Sequence, residues 1–262
     1  MNKFYKYLFC ILIIAFISKN CFSQNDSPIQ FGADLMSRYI WRGVDLGGES
    51  PSLQPFFKCV LNSKDTSHSI ILGAWGAYNF NTSNQEADIY FNYTFKNIVS
   101  FIFTDYYFPG STLYTEKQKK YFNYQKDSTG HIFEPSISFN GTEKIPFTLL
   151  FAMNIYGADV RKIKDDGTFG NIFMSKYIEV GYKKTIKGVD FNAFIGATLD
   201  DPNEDNGELG FYGYNKSAGI INLGIKASKK INITDKYDLP IQASVITNPE
   251  AEKIYVVFGI SF

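Results

Sequence analysis

The sequence predicts an all-β fold, a transmembrane antiparallel up-and-down β-barrel of about 12 strands, from three observations. The first is alternation. Phe31, Ala33, Leu35, Ser37, Tyr39 and Trp41 share one parity, while Gly32, Asp34, Met36, Arg38, Ile40 and Arg42 share the other. A strand sends alternate side chains to opposite faces. One face is therefore largely apolar, and the other carries a row of charges that suits a barrel with lipid outside and a polar lumen. The second observation is that long and short connectors alternate along the chain. The third is the composition, 17% aromatic with no later apolar run long enough for a membrane helix. Membrane residence then requires a closed barrel.

The start of the chain reads as an export signal rather than as part of the fold. Lys3 and Lys6 precede an apolar run from Leu8 to Ile17, with Cys21 and Ser23 beyond it. That pattern predicts a cleavable signal peptide over residues 1–23, with the barrel domain spanning 24–262. The run is short of the ~20 residues that a helical span needs. Cleavage would remove Cys10 and Cys21 and leave only Cys59, so no internal disulfide framework is expected. A formal net charge of zero argues against nucleic acid as a partner.

Strands are expected near 29–41, 52–62, 68–80, 86–96, 97–108, 131–140, 145–157, 173–185, 188–200, 216–233, 238–247 and 252–262. The fourth sets Ile89, Phe91, Tyr93 and Phe95 against Asp88, Tyr90, Asn92 and Thr94. The ninth sets Val189, Phe191, Ala193, Ile195, Ala197 and Leu199 against Asp190, Asn192, Phe194, Gly196, Thr198 and Asp200. Gaps after odd strands include the three longest, near 109–130, 158–172 and 201–215. With the N-terminus in the periplasm, these are the outer loops of an even-stranded barrel. In the last strand, Ile254, Val256, Phe258, Ile260 and Phe262 share one face. Ending on Phe262 resembles the terminal strand that barrel assembly machinery recognises. The expected partners are therefore that machinery and outer-membrane lipid.

Several short motifs occur in a familiar order: Ser37-Arg-Tyr-Ile-Trp-Arg-Gly43, Pro51-Ser-Leu-Gln54, Gly73-Ala-Trp75 and Glu86-Ala-Asp88-Ile-Tyr90. Together they resemble the Gcw_chp, or TorF-like, porin family over about the first third of the chain. The resemblance implies an outer-membrane barrel of a Gram-negative bacterium and leaves the substrate open. Long inserts around 111–130 and 158–172 depart from the family pattern.

Candidate lumen-lining charges are Asp34, Arg38, Arg42, Lys58, Asp88, Glu134, Glu179, Lys183, Asp190 and Lys226. The first three lie at four-residue steps, about 13 Å apart along a strand. Buried charges persist only when paired or hydrated. The set reads either as a charge-lined aqueous pore or as a salt-bridged plug, with Arg38 and Arg42 as contacts for an anionic solute in the first case. Asp201, Asn203 and Asp205 place oxygens at alternate positions before Gly207, the outline of a calcium loop. The glycine is one place late, and a solvated acidic loop fits as well.

Catalytic signals are weak. His131 with Glu134 or Ser136 is the one arrangement resembling an acyl-hydrolase site, and ordinary rim polarity accounts for it. Cys59, alternating with Phe57 and Leu61, is expected to face lipid. The functional expectation is a non-enzymatic, passive, porin-like channel for small hydrophilic solutes, with no cofactor beyond a calcium ion. Two alternatives accompany it. One is a sealed barrel binding through its outer loops, with Tyr106-Tyr107-Phe108 and Phe211-Tyr212-Gly213-Tyr214 as surfaces. The other is a lipid-acting barrel enzyme.

Overall fold

The computed structural model describes residues 28–262 apart from 82–83, 110, 112–114, 214–216 and 236. The expected signal peptide and Tyr214 lie outside the described residues. Twelve long strands form the wall: β1 (Ile29–Met36), β2 (Ser52–Asn62), β3 (His68–Asn79), β4 (Gln85–Phe95), β5 (Val99–Tyr107), β6 (His131–Phe139), β7 (Phe147–Met153), β8 (Lys176–Ile186), β9 (Val189–Thr198), β10 (Gly219–Thr234), β11 (Tyr237–Asn248) and β12 (Lys253–Ser261). Each pairs antiparallel with its sequence neighbours, and β1 pairs with β12, so the sheet closes with no free long edge. The piece Tyr156–Gly157 returns to β6 after β7 has broken at Asn154, adding a short side pairing.

Register follows the alternation. Phe31 lies opposite Phe57, Leu72 opposite Phe91, and Ile225 opposite Val245. These side chains sit on the outward face and, apart from half-buried Phe91, stay exposed, as do Phe147, Ile195, Val256 and Phe258. A one-residue slip would turn this apolar set into the lumen. Cys59 shares their parity but is buried, covered between Ile29 and Leu72 on the flanking strands.

Connectors after odd strands (37–51, 80–84, 108–130, 154–175, 199–218 and 249–252) gather at one end of the barrel. Those after even strands (63–67, 96–98, 140–146, 187–188 and 235–236) gather at the other. Tight chemistry explains the second set. Lys187 and Gly188 both have positive φ, 51° and 76°, as a two-residue hairpin with the strands' own twist requires.

The first strand ends earlier than its pattern suggests. β1 stops at Met36, five residues short of Trp41, and the chain turns into the lumen. There Ile40–Trp41 and Val44–Asp45 pair as a small hairpin with Arg42 and Gly43 at its tip, φ 49° and 78°. Tyr39 and Trp41 therefore leave the outward face that alternation gave them, and Arg42 leaves the wall. The Arg-Gly turn reverses the chain before alternation can continue along the wall. A Cβ at Gly43 would run into the Ile221 carbonyl of β10, so only glycine allows this approach. The seam between β1 and β12 is correspondingly short. Asp34–Met36 pair with Ser261–Gly259, extended by bonds between Ala33 and Phe262 and between Ser37 and Phe258.

Candidate functional site

Because the hairpin folds inward, the long-loop half of the lumen is a packed polar core. Arg42 lies at its centre. Its Nη1 and Nη2 donate to the two carboxylate oxygens of Glu134 at 2.6 and 2.8 Å, a bidentate pair. Nη1 also donates to the Tyr212 hydroxyl at 2.9 Å, and the Tyr106 hydroxyl donates to Glu134 at 3.2 Å. The guanidinium stacks within 4.5 Å of the Trp41 ring centre and 4.6 Å of the Tyr177 ring centre. Arg42 and Glu134 side chains are only 9% and 2% exposed. Below them the Tyr177 hydroxyl donates to Glu179 at 2.6 Å, and Asn222 Nδ2 donates to both Tyr177 and Glu179 at 2.9 Å.

Two further loop contacts hold the stopper in place. Asn248 Nδ2 donates to the Gly43 carbonyl at 3.1 Å. From the 199–218 connector, Tyr212 packs on Tyr177 while Phe211 meets Trp41 edge-on. That connector starts at buried Asp200, which accepts from the Lys176 backbone N–H at 3.1 Å. Burial raises its carboxyl above the ordinary range, and Lys176 opposes the rise.

Of the ten candidate lining charges, Arg42, Glu134 and Glu179 meet in this one network. Arg38 leaves the wall with the hairpin and pairs with Asp45 at 3.4 Å. Asp88 is inward on β4, beside Glu86 two residues earlier, and both are 6% exposed. The remaining five lie toward the short-turn end. Asp34 lies opposite Gln54 of β2, Lys226 lies opposite Ser244 of β11, Lys58 lies 4.5 Å over Phe56, and Asp190 accepts from Thr185 at 2.6 Å. Lys183 lines a shallow cavity with the 140–146 turn. The long-loop half thus collects Glu86, Asp88, Glu134 and Glu179 against Arg42, and the short-turn half collects Lys58, Lys183 and Lys226 with Asp34 and Asp190.

Residues outside the candidate lining charges complete the site. The Tyr39 hydroxyl donates to Glu86 at 2.8 Å, and Tyr39 packs on Trp75 with ring centres 5.4 Å apart. Glu86 was legible, since it shares inward parity with Asp88. Tyr212 and Tyr177 gave no periodic signal, because a loop residue and a strand residue become neighbours only once the hairpin is inserted.

The remaining candidate groups are separated. His131 points outward from β6, whereas Glu134 and Ser136 point inward, so the wall divides that trio. His131 is instead covered from outside by the 108–130 connector. Its Nδ1 lies 2.7 Å from Asp105, its Nε2 lies 2.6 Å from the Tyr121 carbonyl, and Tyr107 and Tyr124 stack on it at 4.7 and 4.3 Å. In the acidic loop, Asn203 Oδ1 accepts from Asp205 N–H and caps a single turn, Glu204–Asn206. That oxygen of the expected calcium set is thus engaged with the backbone. Among the described residues no group of three His, Cys, Asp or Glu side chains is placed to hold a metal ion.

Comparison with known proteins bears on the architecture. No protein-family model matches the sequence, the Gcw_chp family included, and no curated protein sequence matches it. Solved structures do resemble the fold. The NanC porin aligns with TM-score 0.45 at 8% identity, covering 88% of this chain and 98% of its own. The β-domain of the Bordetella autotransporter BrkA gives 0.36 at 8%, covering 90% and 98%. Wzi, a carbohydrate-binding outer-membrane barrel of Escherichia coli involved in group 1 capsule assembly, gives 0.29 at 12%, covering 90% of this chain and 56% of its own. The chain is a closed twelve-stranded β-barrel.

Proposed function

We propose that this chain is an outer-membrane barrel of a Gram-negative bacterium whose lumen is stoppered by its own first long connector, and that it binds ligands at the mouth instead of conducting solutes at rest. The outward band of Phe, Ile, Leu and Val supports membrane residence, because nothing in water would cover it. The long-loop end is assigned to the cell exterior, as in barrels generally.

The bidentate Arg42–Glu134 pair carries the sealed reading. It is buried, braced by Tyr106 and Tyr212, and fixes the hairpin tip against β6 and β10. This arrangement favours the salt-bridged plug over the charge-lined pore. It also removes Arg42 as a contact for an anionic solute, since its charge is already matched.

Planar-bilayer recording tests the proposal. Wild-type barrel should be electrically silent, and a variant lacking residues 38–46 should show discrete conductance steps. Steady conductance from wild type would sink the sealed reading and restore the passive channel. Membrane residence is checked separately, by resistance of the folded band to SDS until heated.

A further inference from the structure

We propose that the mouth of the barrel holds a binding site for an organic ammonium, a ligand with an apolar or aromatic body and one positively charged amine. The inference rests on the surface-binding reading above and names its ligand class. A cavity of ≈ 380 Å³ opens where five long connectors converge. Its apolar walls come from Tyr39, Trp41, Phe108, Phe211 and Tyr212, with Glu86 among the lining residues. No Lys, Arg or His is among the described residues that line it.

Charge decides the ligand class. Glu86 and Asp88 lie side by side on β4, almost fully buried, and neither has an ion-pair partner among the described residues. Two adjacent buried carboxylates need a positive charge beside them or a proton on one of them. Arg42 supplies no relief, being matched by Glu134. Two oxygens are also buried without partners among the described residues: Oδ1 of Asn79, which lines the cavity, and Oδ1 of Asp88, which stands behind the lining beside Glu86. The Asn79 assignment is fixed by its other end, since Nδ2 donates to the Leu46 and Asn84 carbonyls at 3.1 Å. An ammonium brings donors for such oxygens and charge for the carboxylates. Electron-rich ring faces favour the same cation and accept its apolar body. An anion would meet carboxylate without compensation, and a neutral ligand would leave the acid pair as it stands.

The test uses the full barrel in detergent, with the fluorescence of Trp41 and Trp75, the two tryptophans of the chain, as readout. Three probes share one ring: phenethylamine, 2-phenylethanol and phenylacetate. Phenethylamine should change the emission at a concentration about ten-fold lower than 2-phenylethanol, a difference of about 1.4 kcal/mol, and phenylacetate should bind weakest. Glu86→Gln should erase the preference for amine over alcohol. Should that variant fail the heat-shift test for folding, Asp88→Asn serves in its place with a smaller expected loss. Equal binding of amine and alcohol, preference for phenylacetate, no response to any probe, or a preference untouched in a folded variant would each overturn the proposal. Conductance of the same preparation is read independently. A conducting wild type defeats the sealed barrel whatever the amine does, and a silent barrel without amine preference defeats only the ligand assignment.

Discussion

Two long connectors fold back onto the wall, one from inside and one from outside, and each is pinned at a charged contact in an aromatic cage. The inner hairpin brings the cation itself: Arg42 belongs to the connector, and Glu134 to the wall. The outer strap brings no charge to its contact. His131 and Asp105 both belong to the wall, and residues 121 and 124 of the strap add a carbonyl and ring faces. Removing the inner connector strands a buried carboxylate. Removing the outer one leaves the His131–Asp105 contact intact and merely exposes it. The inner connector is therefore integral to the fold's electrostatics, and the outer one is a cover.

This difference orders the expected effects of substitution. Arg42→Ala should be the most damaging, about 3–5 kcal/mol, because Glu134 stays buried with its charge unmatched. Thermal or urea unfolding in detergent would measure it. A loss under 1 kcal/mol would mean that water already reaches Glu134. Replacing both partners, Arg42→Met with Glu134→Leu, should recover most of that loss, since an apolar pair of similar volume avoids the desolvation penalty. A double variant as unstable as Arg42→Ala would place the effect in the hairpin's packing and not in its charge.

Tyr124→Ala in the outer strap should remove about 1 kcal/mol or less of global stability. It should speed proteolytic nicking among the exposed lysines at 117, 120 and 126 while leaving bilayer conductance unchanged. Conductance appearing in that variant would break the distinction between stopper and cover. The smallest effect is expected for Arg38→Ala. Its partner Asp45 is reached at 3.4 Å with the arginine side chain 32% exposed, and such pairs are worth roughly 0–1 kcal/mol.

Alternation made the wall legible in the sequence. All twelve expected strands are present, and the inward or outward parity of residues such as Phe91, Asp88 and Ile195 follows from period two alone. Two-residue turns such as Lys187-Gly188 were legible for a related reason, since local chemistry determines them. The site was less so, because it depends on where the first strand stops. Ser37 to Trp41 keeps the apolar alternation of β1, and nothing in that alternation announces that the chain departs. The cue lay in Arg42-Gly43, a hairpin turn that reads equally well at a rim. Once the departure is missed, Arg42 is placed on the wall of the lumen, Trp41 on the apolar outward face, and Tyr212 on an exposed loop surface instead of in the core.

The early departure of β1 also bears on how the barrel closes. β1 and β2 pair at eight positions, whereas β1 and β12 pair at three, with flanking bonds at Ala33 and Ser37. Ile254 and Val256 of β12 have registered partners on β11 and none on β1. The pairing that closes the barrel is thus the one with the fewest rungs, and the tucked hairpin of the same connector acts as its latch from within. Under mechanical pull on the termini, this is the join that would part first.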